Sequence, residues 1–221
     1  MRTCNRAVVL AALILCLIVP AAAHAQQSHT YRVTITNLTQ HQIFSSPIVA
    51  THTPGTGIFH VGQTVDEPFW LMAEDGEAAP LATKLEADPR VGDVAVSPVF
   101  LMPGKSITLT VVSTPPFFRL SAVGMLVTTN DSFFGLDSYP LTGPWLQRVN
   151  VPAFDAGTEA NNEDCAYVPG PPCGNLHQRA TDGAEGFVSV SPGIKGTGDL
   201  DPATFDWRNP VAQIKIVRVD N

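Results

Sequence analysis

Apolar and polar residues alternate along three stretches of this chain. In Tyr31-Arg32-Val33-Thr34-Ile35-Thr36-Asn37, the side chains of Tyr31, Val33 and Ile35 fall on one face and those of Arg32, Thr34 and Thr36 on the other. This is the period-two signature of a strand buried on one side. Ile107, Leu109 and Val111 alternate with Thr108 and Thr110, and within Val211 to Val219 the residues Ala212, Ile214 and Ile216 stand opposite Gln213 and Lys215. Both stretches read as strands. Shorter β-rich runs at Val94 to Leu101, Phe118 to Thr128, Trp145 to Val151 and Phe187 to Val190 are each bounded by Gly, Pro, Asn or Asp. Only Phe69 to Ala73 and Pro80 to Ala87 have helical character. In the second, Leu81, Lys84 and Leu85 have i, i+3, i+4 spacing after a proline that suits a first helical turn. Both are expected as short crossings, not as a helical layer. About seven or eight strands without alternating long helices predict an all-β, antiparallel two-sheet β-sandwich with one or two short helices in its connections. The first and last strands are expected to share a sheet.

The first 25 residues have another origin. Arg2 and Arg6 form a basic start, Ala7 to Ala22 is apolar apart from Pro20, and Ala23-His24-Ala25 is a small-residue cleavage signal. Residues 1–25 therefore read as a secretory signal peptide, residues 26–221 as one domain, and the product as secreted or periplasmic. Cleavage after Ala25 removes two arginines and no acid, taking the formal charge from −7 to −9. Such a chain has no cationic surface for phosphates, which excludes nucleic acid as a partner. Cys4 and Cys16 leave with the leader. Cys165 and Cys173 remain as an even pair in a compartment that permits oxidation, so a disulfide is expected. Its short loop limits the entropic gain to about 2–3 kcal/mol, so it fastens a local segment. With 17 Gly and 19 Pro, the composition suits short strands and many turns.

Between Asp131 and Glu185 there are eight acids (131, 137, 155, 159, 163, 164, 182 and 185) against Arg148 and Arg179. This repulsion calls for something to offset it. A calcium ion would do so, since it takes six to eight oxygens from carboxylates, amides, backbone carbonyls and water. Thr129-Asn130-Asp131-Ser132 and Asp155-Ala156-Gly157-Thr158-Glu159 are oxygen-rich strings of the right kind, and Gly157 permits the reversal that aims Asp155 and Glu159 at one centre. Asn130 and Thr158 are further oxygen donors. Solvated acids in loops are the competing explanation. Residues 152–186 as a whole offer few side chains for a core and read as a long loop, ordered by the disulfide.

Gly124-Met125-Leu126-Val127 through Asn130-Asp131-Ser132-Phe133-Phe134-Gly135-Leu136-Asp137-Ser138, followed by Phe154-Asp155-Ala156-Gly157-Thr158-Glu159, resembles the spondin N-terminal domain. The opening strand and the closing Trp207-Arg208-Asn209-Pro210-Val211-Ala212 agree with it, so the resemblance runs from about Tyr31 to Val219. It implies a C2-like β-sandwich with calcium held among the loops at one end, and an extracellular interaction or adhesion role. Matched residue by residue, the implied metal ligands are Asp131, Asp155 and Glu159. Animal members carry aspartate at the last position, where Glu159 is one methylene longer, and the spacing between the two acid strings is shorter here. Asp137 also matches a family position and is expected to be a structural turn residue. Animal members carry the domain beside thrombospondin-type modules, which this sequence lacks.

Catalytic motifs are missing. The sequence has no G-x-S-x-G, H-E-x-x-H, C-x-x-C or phosphate loop, and His29, His41, His52, His60 and His177 include no i, i+4 pair. Gly55-Thr56-Gly57 reads as a hairpin loop and Asp199 and Asp201 as turn residues. In Phe117-Phe118 and Phe133-Phe134 one ring of each pair is expected in the core, leaving the other as a candidate contact tip. The expected function is thus a non-enzymatic calcium-binding module whose partners are the ion and an extracellular protein, glycan or membrane surface. The alternatives are a secreted hydrolase using the same carboxylates as acid and base, and a metal-free structural envelope protein.

Overall fold

The computed structural model describes residues 27–220, so the expected leader and cleavage signal lie outside the described residues. Among the described residues, ten strands form two antiparallel sheets. The smaller sheet has the order β4 (Ser106–Ser113), β1 (His29–Asn37), β10 (Ala212–Arg218) and β7 (Leu146–Val151). The larger has the order β3 (Val91–Val96), β2 (Ile48–His52), β5 (Arg119–Met125), β6 (Ser132–Pro140), β8 (Ala153–Asp155) and β9 (Ser189–Val190). First and last strands pair as expected, with Val33 opposite Ile216 and Ile35 opposite Ile214. The all-β, two-sheet sandwich expected from alternation is the observed fold.

Between the sheets, Val33, Ile35, Val111, Ile214 and Ile216 of the smaller sheet meet Leu120, Ala122 and Phe134 of the larger. A second core lies on the outer face of the larger sheet. There α1 (Glu67–Asp75) and α2 (Ala78–Ala87) place Phe69, Met72, Leu81 and Leu85 against Ile48, Val123, Met125 and Phe133. The two helices thus cover a sheet face instead of merely crossing between strands. Gly76 ends α1 at φ +73°, its amide and that of Glu77 closing on the carbonyls of Met72 and Leu71. A side chain there would be strained, and it would also meet Ser45.

Because the larger sheet is covered on both faces, its strands lose alternation. β2 is buried at every position, which is why period two does not reveal it. Phe133 and Phe134 are both fully buried, one ring in each core, so neither is a contact tip. Phe117 packs on Gly92 while Phe118 is part exposed, at 36%. Gly55-Thr56-Gly57 does not join two strands: it follows β2 on the way to α1. The segment 152–186 also contributes more to the interior than its composition suggests, with Ala153, Asp155, Ala156, Glu159, Glu163 and Val168 all buried. No helix among the described residues is long and apolar enough to cross a membrane.

Candidate metal centre

The pairing of β6 with β8 puts Ser132 opposite Asp155. Asp131, the residue before β6, therefore lies beside the last residue of β8, although 24 positions separate them in sequence. After Asp155 the chain reverses at Gly157, φ +67°, whose amide donates to Asp155 Oδ1 at 2.7 Å. A Cβ on Gly157 would strike the backbone of Phe187, so glycine is required there for both conformation and space. The reversal carries Thr158 and Glu159 back to Asp131. Their amides donate to Asp131 Oδ2 at 2.7 and 3.0 Å, joined by the Thr158 hydroxyl at 3.2 Å. The structure brings together all three of the expected acids.

Asp131, Asp155 and Glu159 are 0–1% exposed. Asp155 is satisfied at both oxygens, by Gly157 N and by the side-chain amide of Asn161 at 2.5 Å. Glu159 Oε1 accepts from Ala180 N at 2.6 Å. The remaining two oxygens, Asp131 Oδ1 and Glu159 Oε2, have no hydrogen-bond partner although both are buried. Desolvation of an unpaired carboxylate is costly, and the protonation equilibria reflect it. Burial, and then the charge of Asp155, push the Asp131 carboxyl well above its usual range against the pull of the two amides. Burial raises Asp155 too, with Glu185 adding to it and Asn161 opposing. Glu159 is pushed up to about 8 by burial, with Glu74 adding; Ala180 N, the nearby Asn130 amide and Arg179 act the other way.

Arg179, the cation that acts on Glu159, is already committed, and Lys195 acts on Asp155. Arg179 forks onto the buried Glu74 of α1, at 2.6 and 2.8 Å, and its guanidinium lies 3.8 Å above the Trp70 ring. Glu74 and Arg179 are 105 positions apart, and no local sequence signal announces their pairing. Glu163 is another surprise: it is buried at φ +59°, and its carboxylate accepts the amides of Lys195, Gly196 and Thr197 at 2.6–2.8 Å. It is fully used in holding loops together. Asn130 and Thr158, the other expected oxygen donors, are also engaged internally: Asn130 Oδ1 accepts from Glu163 N, and the Thr158 hydroxyl donates to Asp131.

Asp137 stands apart from this cluster. It lies in β6, where Asp137 and Ser138 together oppose Ser121 in a β-bulge, and it pairs with His60 Nδ1 at 3.1 Å. It thus lies in a bulged strand rather than a turn. Asp201 caps a short helix, α3 (Pro202–Phe205), and Asp199 accepts the amide of Cys165. Cys165 and Cys173 form the expected disulfide, with Cα atoms 4.9 Å apart.

The donor set is all oxygen and all anionic, which suits a hard cation. The two orphaned oxygens are the structural observation that fits one. Among the described residues, no group of three or more His, Cys, Asp and Glu side chains is arranged so that it could hold a metal ion. No protein-family model matches the chain, and comparison with curated proteins finds no relative.

Proposed function

We propose that this chain is an exported, non-enzymatic calcium-binding module of the spondin N-terminal kind, with a role in extracellular interaction or adhesion. One observation carries the reading: Asp131 and Glu159 each bury an oxygen that no protein group satisfies, at a point where Asp155 adds a third negative charge. Asp131 and Glu159 would ligate directly. Asp155, whose oxygens keep free lone pairs beside their single hydrogen bonds, would complete the carboxylate set. Calcium supplies the positive charge that replaces lost solvation and lets all three acids stay ionised. The chain's own contribution is orientation. The Thr158 and Glu159 amides hold Asp131, Gly157 sets the reversal, and Ala180 N fixes the outer oxygen of Glu159.

Export follows from the leader and accords with a disulfide, which persists in an oxidising compartment. The hydrolase alternative is weakened by burial, since a scissile bond must reach an acid and a base that here are closed off. Calcium at 100 times its dissociation constant is expected to stabilise the fold by about 2.7 kcal/mol, and Asp155→Ala to abolish that gain. Thermal melts with calcium and with chelator read both. Coincident curves would remove the calcium reading and leave the metal-free structural module.

A further inference from the structure

One continuous segment lies against the loop that carries Asp131 and against Glu159. At its start, Asn162 and Glu163 clasp Asn130: Asn130 Nδ2 donates to Asn162 Oδ1 and Asn130 Oδ1 accepts from Glu163 N, both at 3.1 Å. In its middle, Gly170 lies directly on the Val127–Thr128 backbone, where any Cβ would collide with the Val127 carbonyl. Next to it, the Thr128 hydroxyl donates to the Pro171 carbonyl at 2.9 Å. At its end, Ala180 N donates to Glu159 Oε1 at 2.6 Å. The segment thus forms a wall behind the loop that carries Asp131 and a support for Glu159.

Between these contacts the chain is tied by the Cys165–Cys173 disulfide. The ring it closes buries Val168 in the main core, packs Cys173 against it, and is pinned by Asn175, whose side chain donates to the Cys165 carbonyl at 2.7 Å. Few other apolar groups hold the ring down. We propose that this disulfide is a positioning device for the carboxylate pair, so that its reduction weakens cation binding while the sandwich stays folded. The idea deepens the calcium reading and rests on it for the ligand, but its mechanical part can be measured without metal. In the reduction, a dithiol gives two electrons and two protons to the S–S bond, leaving two cysteine thiols, and itself closes to a cyclic disulfide.

The test compares the oxidised chain, the dithiol-reduced chain and Cys165→Ser/Cys173→Ser, using calcium titration and amide hydrogen exchange in chelator. The expected result is calcium affinity at least tenfold weaker without the bridge, and faster exchange of the Thr158 and Glu159 amides that donate to Asp131, with cooperative unfolding retained. Unchanged affinity and unchanged exchange would overturn the proposal. If the oxidised chain binds no calcium yet these amides exchange faster on reduction, the calcium reading fails and the positioning role stands. Should the double variant not fold, Thr128→Val keeps the bridge but removes its grip on the Asp131 loop. It is expected to weaken calcium binding severalfold and to speed the same two amides, and wild-type behaviour in both would equally overturn the idea.

Discussion

Asp131 is the residue on which most of the local energetics turn. One oxygen is saturated by three donors and the other has none. Asparagine is nearly isosteric: its carbonyl can take the Thr158 and Glu159 amides, and its NH2 can face the neighbouring carboxylates. Asp131→Asn is therefore expected to raise stability in chelator by about 1–3 kcal/mol, because a buried carboxyl with one unpartnered oxygen is gone, and to lose the calcium response. Chemical denaturation with and without calcium gives both values. A variant less stable than wild type in chelator would show that the carboxyl is compensated within the protein. Asn37 illustrates the opposite case. It is fully buried, and its side chain donates to the carbonyls of Gln42 and Leu101 and accepts from Thr39. Both ends of its side-chain amide are thus used inside the fold.

At the scale of elements, the larger sheet is the mechanical centre, since it is packed on both faces. Phe133 makes edge contacts with Phe59 and Phe69 under the helices, with ring centroids 5.0 and 5.1 Å away, while Phe134 stacks near Phe44 between the sheets at 4.8 Å. Phe133→Ala and Phe134→Ala are each expected to cost about 3–5 kcal/mol, measurable by denaturant titration. A much smaller loss for Phe133→Ala would mean that the helices pack loosely on the sheet. The same geometry explains which strands were legible. β1, β4 and β10 face solvent on one side, and their alternation gives them away. β2 and β6 are apolar on both sides at most of their positions, a pattern that does not distinguish a doubly covered strand from other buried segments. The three residues of β8 are too few to carry a period at all.

For the whole molecule, the carboxylate cluster links stability to pH. Glu159 titrates near 8 in the folded chain against an ordinary 4.5, and Asp131 shifts in the same direction. A raised carboxyl pKa means that the folded state holds the proton more tightly than the unfolded one. Its contribution is complete below about pH 4.5 and is lost as pH rises through about 8. Asp88, lowered to about 2 by its hydrogen bonds with Arg90, acts the other way, losing its contribution as pH falls from the ordinary 3.8 through about 2. In chelator the melting temperature is therefore expected to be highest near pH 5 and to fall towards pH 9. Saturating calcium, which selects the ionised site, should flatten or reverse that fall. Parallel melts across this range check the sign, and a chelated protein that gains stability between pH 5 and 9 would contradict it.

The sequence by itself determined the all-β class, the pairing of its outermost strands as an expectation and the disulfide partners, while the set Asp131, Asp155 and Glu159 came from a resemblance. The first three are properties of period and of cysteine count. Only the tertiary structure decided that two helices cover a sheet face, that Glu74 claims Arg179, that Asp137 belongs to a bulge, and that one oxygen each of Asp131 and Glu159 is left without a partner. Each of these depends on groups tens of residues apart meeting in a low-dielectric interior, where a missing partner is costly, and no pattern along the chain encodes which groups meet there.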